Sequence, residues 1–349
     1  MDVLEWSSCQ RVHFHEAKEQ WGDPLAYEQS WLFVCQTLRR GGWICRDSDG
    51  WMAVARDYLG PGRHAVVVPM SSNLCRFLES GLRELRARGI VPSVVKHLTY
   101  EVANSLISTG RFTELQHPEI TSSIFLDDLS EDRLPQVLAK VSAEHWTTAD
   151  RLHRQWVPLV PTHPGGAEFR HQLWRFLRTY PERGASLTLQ TIGAAEATDI
   201  NRALRNWSNS LRNRLQRAGQ PRVRDFSRCF LDPVQAAIDY ARHDNGDTVG
   251  QIVAVENEPS SLWIGTRISR ECVAVNVLLA DTTVKSLSYY TVYLACHLAH
   301  QLGAGCVNLG GSELESLFRF KMRAAGVASI GQLTTRRVCD LKMLDHGSL

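Results

Sequence analysis

Residues 305–326 read GCVNLGGSELESLFRFKMRAAG, and the elements around this stretch decide the fold. Cys306–Leu309 is short and apolar, as a buried strand is, and two glycines follow at once. A helix is predicted over Glu313–Ala324, closed by Gly326. Ser312 with Glu315 three residues on is the capping-box pattern of a helix start. Leu314, Leu317, Phe318 and Lys321 recur at i, i+3, i+4 and i+7, so a lysine lies on the stripe that should face the core.

Working upstream, the second half parses by period. Asp199–Ala218 carries Ile200, Leu204, Trp207, Leu211 and Leu215 at helical spacing. Residues 250–268 alternate and turn at Asn257-Glu258-Pro259, the pattern of a β-hairpin. Glu271–Ala280 is a further strand, and Ser286–Leu302 a helix closed by Gly303. The first half repeats this order. Trp43–Arg46 and Trp51–Arg56 flank an Asp49-Gly50 turn, Ala65–Met70 is a third strand, and Ser72–Arg88 is a helix. Val91–Val95 then reads as a strand and Glu101–Thr109 as a helix. The expected class is α/β: a mixed sheet with helices on its faces, made twice, over residues 1–165 and 180–349. Residues 150–185, with Pro158, Pro161, Pro164 and Gly165-Gly166, read as the connection.

Composition narrows the partners. The net charge is +2, but residues 1–150 hold 15 Lys/Arg against 20 Asp/Glu, and residues 151–349 hold 24 against 17. An anionic partner would therefore meet the C-terminal half. Nine cysteines without a C-x-x-C pair suit a reducing cytoplasmic setting. The acidic, polar start is unlike a signal peptide. Ser286–Ser312 lacks Asp, Glu, Lys and Arg, yet its Ser, Thr, His and Gln residues and its glycine breaks indicate a buried helix and strand, not a membrane span. His13-x-His15-Glu16 and His297-x-x-His300 lack further ligands at recognisable spacing, so no metal is expected.

The element order, together with Asn308-Leu309-Gly310, Phe320-Lys321 and Gly326, resembles the GNAT superfamily of N-acyltransferases in its tandem-domain form. Within it, the chain looks most like the Fem peptidoglycan aminoacyltransferases and the lysyl-phosphatidylglycerol synthases. The resemblance implies that two neighbouring strands, here Glu271–Ala280 and Cys306–Leu309, splay into a V that receives the acyl donor. It implies an amide-forming acyltransferase with no bound cofactor, the acyl donor being a co-substrate. Fem-like members use aminoacyl-tRNA; other members use acyl-CoA. A carrier-protein thioester is a further alternative, for example in antibiotic biosynthesis, and a non-catalytic binding module is the remaining one. Partners would be tRNA or an acyl carrier protein, and a small-molecule or peptide amine acceptor. The first half has Asn104-Ser105 where Phe-Lys would stand, so its donor site is degenerate and it serves the acceptor side or a structural role.

The resemblance places Phe320 near the donor's 3′ end and Lys321 near the reacting carbonyl. An ammonium there would stabilise the oxyanion of the tetrahedral intermediate. Asn276, polar in the middle of an apolar strand, and Asp281, just past its end, are further catalytic candidates, against structural hydrogen bonds or a turn. Glu313 and Glu256 are weaker candidates for a general base. Lys285, Ser288 and Asn308 are donor-binding candidates. Lys285–Tyr290 occupies the place of the family's glycine-rich CoA loop and has no glycine, which argues against acetyl-CoA. Eight arginines fall between residues 202 and 228 with one acid, Asp225, and Arg202, Arg205 and Arg212 lie opposite the apolar stripe. They point to a phosphate-rich donor such as tRNA, against an ordinary solvated face.

Overall fold

In a computed structural model, the described residues are 1–6, 11–23, 26, 29–58, 61–114, 119–125, 164–180, 184–217, 231–243, 246–270, 272–312, 320 and 333–343. The elements of the first half are β1 (Asp2–Glu5), α1 (Arg11–Trp21), α2 (Trp31–Thr37), β2 (Gly42–Arg46), β3 (Gly50–Ala55), β4 (His64–Ser71), α3 (Leu74–Ala87), β5 (Pro92–Thr99), α4 (Tyr100–Ile107), β6 (Phe112–Glu114) and β7 (Glu119–Phe125). There follow α5 (Pro164–Thr179), β8 (Leu187–Thr191), α6 (Ala197–Arg217), α7 (Asp232–His243), β9 (Thr248–Val255), β10 (Glu258–Arg267), β11 (Cys272–Ala280), α8 (Leu287–Gln301), β12 (Cys306–Ser312) and β13 (Leu333–Met343).

Two compact units interleave in sequence. One comprises Met1–Thr121, Gly311–Glu313 and Thr335–Leu349; the other Ser122–Gly310 and Leu314–Thr334. A division in chain order at 165–180 does not describe this arrangement, because each sheet takes a strand from the other half of the sequence. In the first unit β1 to β4 form an antiparallel run, β5 joins β4 in parallel, and β13, from the chain's far end, pairs with β5 and β6. In the second unit β8, β9, β10 and β11 are antiparallel, β12 joins β11 in parallel, and β7 lies beyond β12. The repeat of hairpin, strand, helix, strand is therefore present twice, as the periodicity predicts.

Both parallel pairs part company early. β4 and β5 pair only at His64↔Pro92, Ala65↔Val94 and Val66↔Val95, although both strands run on. β11 and β12 pair at Cys272↔Cys306, Val273↔Val307 and Ala274↔Asn308, and then separate. A β-bulge adjoins each opening. In β4 the register against β3 shifts around Val68, whose φ of 51° is unusual for a β-branched residue. In β11, Gly265 faces Val275 and Ile264 faces Val277, leaving Asn276 as the extra residue.

Several boundaries differ from the sequence reading. The β9–β10 turn is Glu256-Asn257, with φ of 55° and 65°, as a two-residue hairpin turn with both φ positive requires. Glu258 and Pro259 belong to β10, where the proline sits beside a register shift that spares the ladder its missing N–H. β12 continues through Gly310-Gly311 to Ser312, with Gly310 at φ 71°. Ser312 is the last residue of β12; Glu313, Glu315 and all of the expected Glu313–Ala324 helix except Phe320 lie outside the described residues. The supposed connection contains α5, whose Leu173, Phe176 and Leu177, with Tyr180 just past its end, recur at helical spacing. The charge-free run is α8 followed by β12, and among the described residues no helix is long and apolar enough to cross a membrane.

Each unit has its own core. Met52, Val54, Val66, Phe77, Leu78, Leu85 and Val95 pack the first. Phe176, Val253, Trp263, Val273, Tyr290 and Val307 anchor the second. Fully burying side chains of this size contributes about 1.5–3 kcal/mol each.

Candidate donor site in the second unit

The opening between β11 and β12 starts where Ala274 faces Asn308. Asn308 is 1% exposed, and its Oδ1 accepts the Gly310 N–H at 2.7 Å, so the side chain fixes the backbone where β12 leaves its neighbour. Replacing Asn308 by alanine removes that buried acceptor and is expected to destabilise the unit by about 1–3 kcal/mol, read as a lowered urea midpoint. Asn276 lies just beyond, half-buried on the opposing strand. A bulge leaves its extra residue out of the ladder, so the peptide of Asn276 is set apart from the β10 pairing at the head of the opening.

The turn from β11 into α8 is built almost entirely from internal hydrogen bonds. Asp281 N–H donates to Ser260 O (2.8 Å), Thr282 N–H to Ser210 Oγ (3.1 Å), and Val284 N–H to Asp281 O (3.2 Å). Asp281 Oδ1 accepts both the N–H (2.8 Å) and the hydroxyl (2.7 Å) of Thr283, so this carboxylate oxygen serves as a turn acceptor. Lys285 N–H donates to the Tyr180 hydroxyl at 3.1 Å, while its ammonium end is exposed. Leu287, Tyr289 and Tyr290 N–H groups donate to Val284 O and Ser286 O. Eight amides between 281 and 290 are thus engaged inside the protein, and the Asp281 carboxylate stands among them. A pyrophosphate cradle needs such amides pointing outward beside no fixed negative charge.

α5 clamps this turn. Gln172, Phe176 and Tyr180, at i, i+4 and i+8, present one face. Gln172 Oε1 accepts from Ser286 Oγ at 2.7 Å, supporting a serine whose φ is 65°. Phe176 stacks on Tyr290, with centroids 4.7 Å apart and planes at 17°. Burial pushes the phenols of Tyr290 and Tyr293 well above their ordinary range, so both stay neutral and act as packing. Tyr180→Phe keeps the ring and deletes the acceptor of Lys285 N–H; a loss of about 0.5–1.5 kcal/mol is expected in urea unfolding. This clamp was readable from helical spacing but was obscured by the nearby prolines and glycines.

The remaining candidates fall into two groups. Phe320 packs edge-on against Tyr289 at 5.3 Å, next to half-buried Ser288, so Phe320 meets the start of α8. Lys321 lies outside the described residues. Glu256 is the exposed first residue of the hairpin turn, its N–H donating to Ser186 O. On α6, Arg202 is held by Glu258 at 2.6 Å and Asp199 at 3.8 Å; Arg205 and Arg212 are exposed. The helix is anchored by Asn206 Nδ2 to Pro259 O (2.9 Å) and by Ser210 Oγ to the Thr282 amide, and so runs from the start of β10 to the end of β11.

Solved structures share this architecture end to end. A conserved protein of unknown function from Bacteroides thetaiotaomicron is 14% identical, with 96% of each chain covered and a TM-score of 0.64. L-PGS from Bacillus licheniformis is 11% identical, with 97% of this chain and 93% of that one covered and a TM-score of 0.55. A tandem GNAT protein from the clavulanic acid biosynthesis pathway is 11% identical, with 99% of each chain covered and a TM-score of 0.50. No family model and no curated protein matches the chain. At these identities the likeness is one of fold: the chain has the tandem GNAT fold that its element order implies.

Proposed function

We propose that the chain is an acyltransferase that moves an aminoacyl group from aminoacyl-tRNA onto the amino group of a small-molecule or peptide acceptor. The observation that carries this reading is the closed β11–α8 turn beside an open strand pair. Beyond Ala274 and Asn308 the two strands no longer pair with each other, which leaves room for an extended donor arm, while the turn keeps most of the amides that would grip the pyrophosphate of CoA. An RNA-borne ester makes no demand on those amides. Only the second unit combines the opening with Phe320-Lys321, so it is the donor side.

The chemistry asks little beyond placement. The acceptor's neutral amine attacks the ester carbonyl, a C–N bond forms and the C–O bond to the RNA ribose breaks. The proton lost by nitrogen is taken up by the departing hydroxyl. Holding amine and ester together supplies much of the rate, and a cation at the developing oxyanion supplies most of the rest. In this reading Lys321 is that cation, Asn276 lies at the head of the opening, and Phe320 holds the donor's end.

A carrier-protein thioester is the second reading, favoured by the same opening, because its docking also bypasses the closed turn. Charged tRNAs incubated with candidate amines, with and without RNase, separate the two. Amide formation abolished by RNase is expected; turnover of a thioester in RNase-treated samples overturns the tRNA reading.

A further inference from the structure

The second unit carries a face unlike any ordinary solvated helix. From Asn201 to Arg217 every exposed described residue of α6 is arginine, asparagine or glutamine, and beyond Asp199 the helix contains no acid. Solvated helical faces mix both signs, since i,i+4 pairs of opposite charge stabilise them. Here Arg205, Asn209, Arg212, Asn213 and Arg217 form a surface of planar hydrogen-bond donors with positive charge throughout. Guanidinium groups match phosphate oxygens in geometry, and side-chain amides bond equally to phosphate and ribose. No leucine or aromatic residue interrupts the described exposed face, so it lacks the apolar side with which an interfacial helix enters a lipid surface.

Its position is equally specific. The bond from the Thr282 amide to Ser210 Oγ ties the middle of α6 to the end of β11. Arg212, Arg214 and Arg217 follow within the next two turns, about 10 Å of helix axis from that bond. The cationic end of α6 thus starts at the mouth of the candidate donor site. Arg202, engaged by Glu258 and Asp199, belongs to the helix's opposite end and to its anchoring.

We propose that the exposed face of α6, from Arg205 to Arg217, is the strip on which the phosphodiester backbone of the donor RNA docks. This rests on the aminoacyl-tRNA reading above and adds where the RNA lies. A backbone contact of this kind is sequence-independent: it positions the RNA, and the opening between β11 and β12 selects its acylated end. Each phosphate neutralised by a side chain adds about 0.7–0.9 to the steepness of log affinity against log salt.

The test is deacylated total tRNA binding to the full chain, followed by fluorescence anisotropy at several salt concentrations. The variants are Arg205→Gln/Arg212→Gln/Arg217→Gln and, as a control on another helix, the exposed Arg242→Gln. Glutamine suits a helix surface, and unchanged far-UV circular dichroism confirms folding. The triple variant is expected to bind at least tenfold more weakly at low salt, with a log–log slope shallower by about two, while the control keeps the wild-type slope. A triple variant that keeps the wild-type slope overturns the docking strip and leaves the aminoacyl-tRNA reading standing. Wild-type protein that binds no tRNA, or binds an acidic carrier protein in its place, overturns both.

Discussion

Lys321→Ala is expected to lower kcat for aminoacyl transfer about 10²–10³-fold, the usual loss when one preorganised oxyanion partner is removed. KM should change little, because the interaction is made with charge that appears only in the transition state. The expectation comes from two directions. The sequence pattern puts the lysine on the apolar stripe of the expected Glu313–Ala324 helix, where packing alone prefers an apolar residue. Its neighbour Phe320 packs against Tyr289, at the start of α8. Steady-state kinetics with a saturating amine measure the effect. A rate within threefold of wild type would remove Lys321 from the mechanism, leaving the positioning of donor and acceptor as the whole of catalysis.

Phe176→Ala should be among the most damaging single changes to the second unit. The ring is fully buried and stacks on Tyr290, itself fully buried in α8. Deleting it leaves a cavity between α5 and α8, at about 3–5 kcal/mol for an aromatic-to-alanine change in a core. Hydrogen exchange across Leu287–Gln301 reads this directly, and a loss of that size speeds exchange through local opening about 10²–10⁴-fold. The effect should extend to the β11–α8 turn, because α5 also holds Lys285 and Ser286 through Tyr180 and Gln172. Exchange altered less than tenfold would mean that α5 is not what holds the turn.

The fold was legible where local pattern and tertiary role coincide. The apolar runs of β4 and β11 end in helices closed by Gly89 and Gly303, both at positive φ, and these gave the repeat. What stayed hidden depends on partners distant in sequence. Nothing local to residues 333–343 announces that they pair with β5, more than 200 positions earlier. The bulge at Asn276 is likewise set by register against β10; the sequence shows only a polar residue in an apolar strand. Asp281 was singled out as a reacting group or a turn residue, and the turn is what its Oδ1 builds. Arg202, Arg205 and Arg212 looked equivalent by spacing. Glu258 and Asp199, at positions that spacing does not reveal, tie the first into the fold.

The central claim is that the second unit receives its donor at an open strand pair whose adjoining turn keeps most of its amides for bonds inside the protein. Calorimetric titration of the wild-type chain tests it most directly, with a non-hydrolysable amide analogue of an aminoacyl-RNA minihelix in one cell and CoA in another. The account predicts saturable binding of the RNA analogue and no saturable binding of CoA up to millimolar concentration. Micromolar binding of CoA, with none of the RNA analogue, would contradict it.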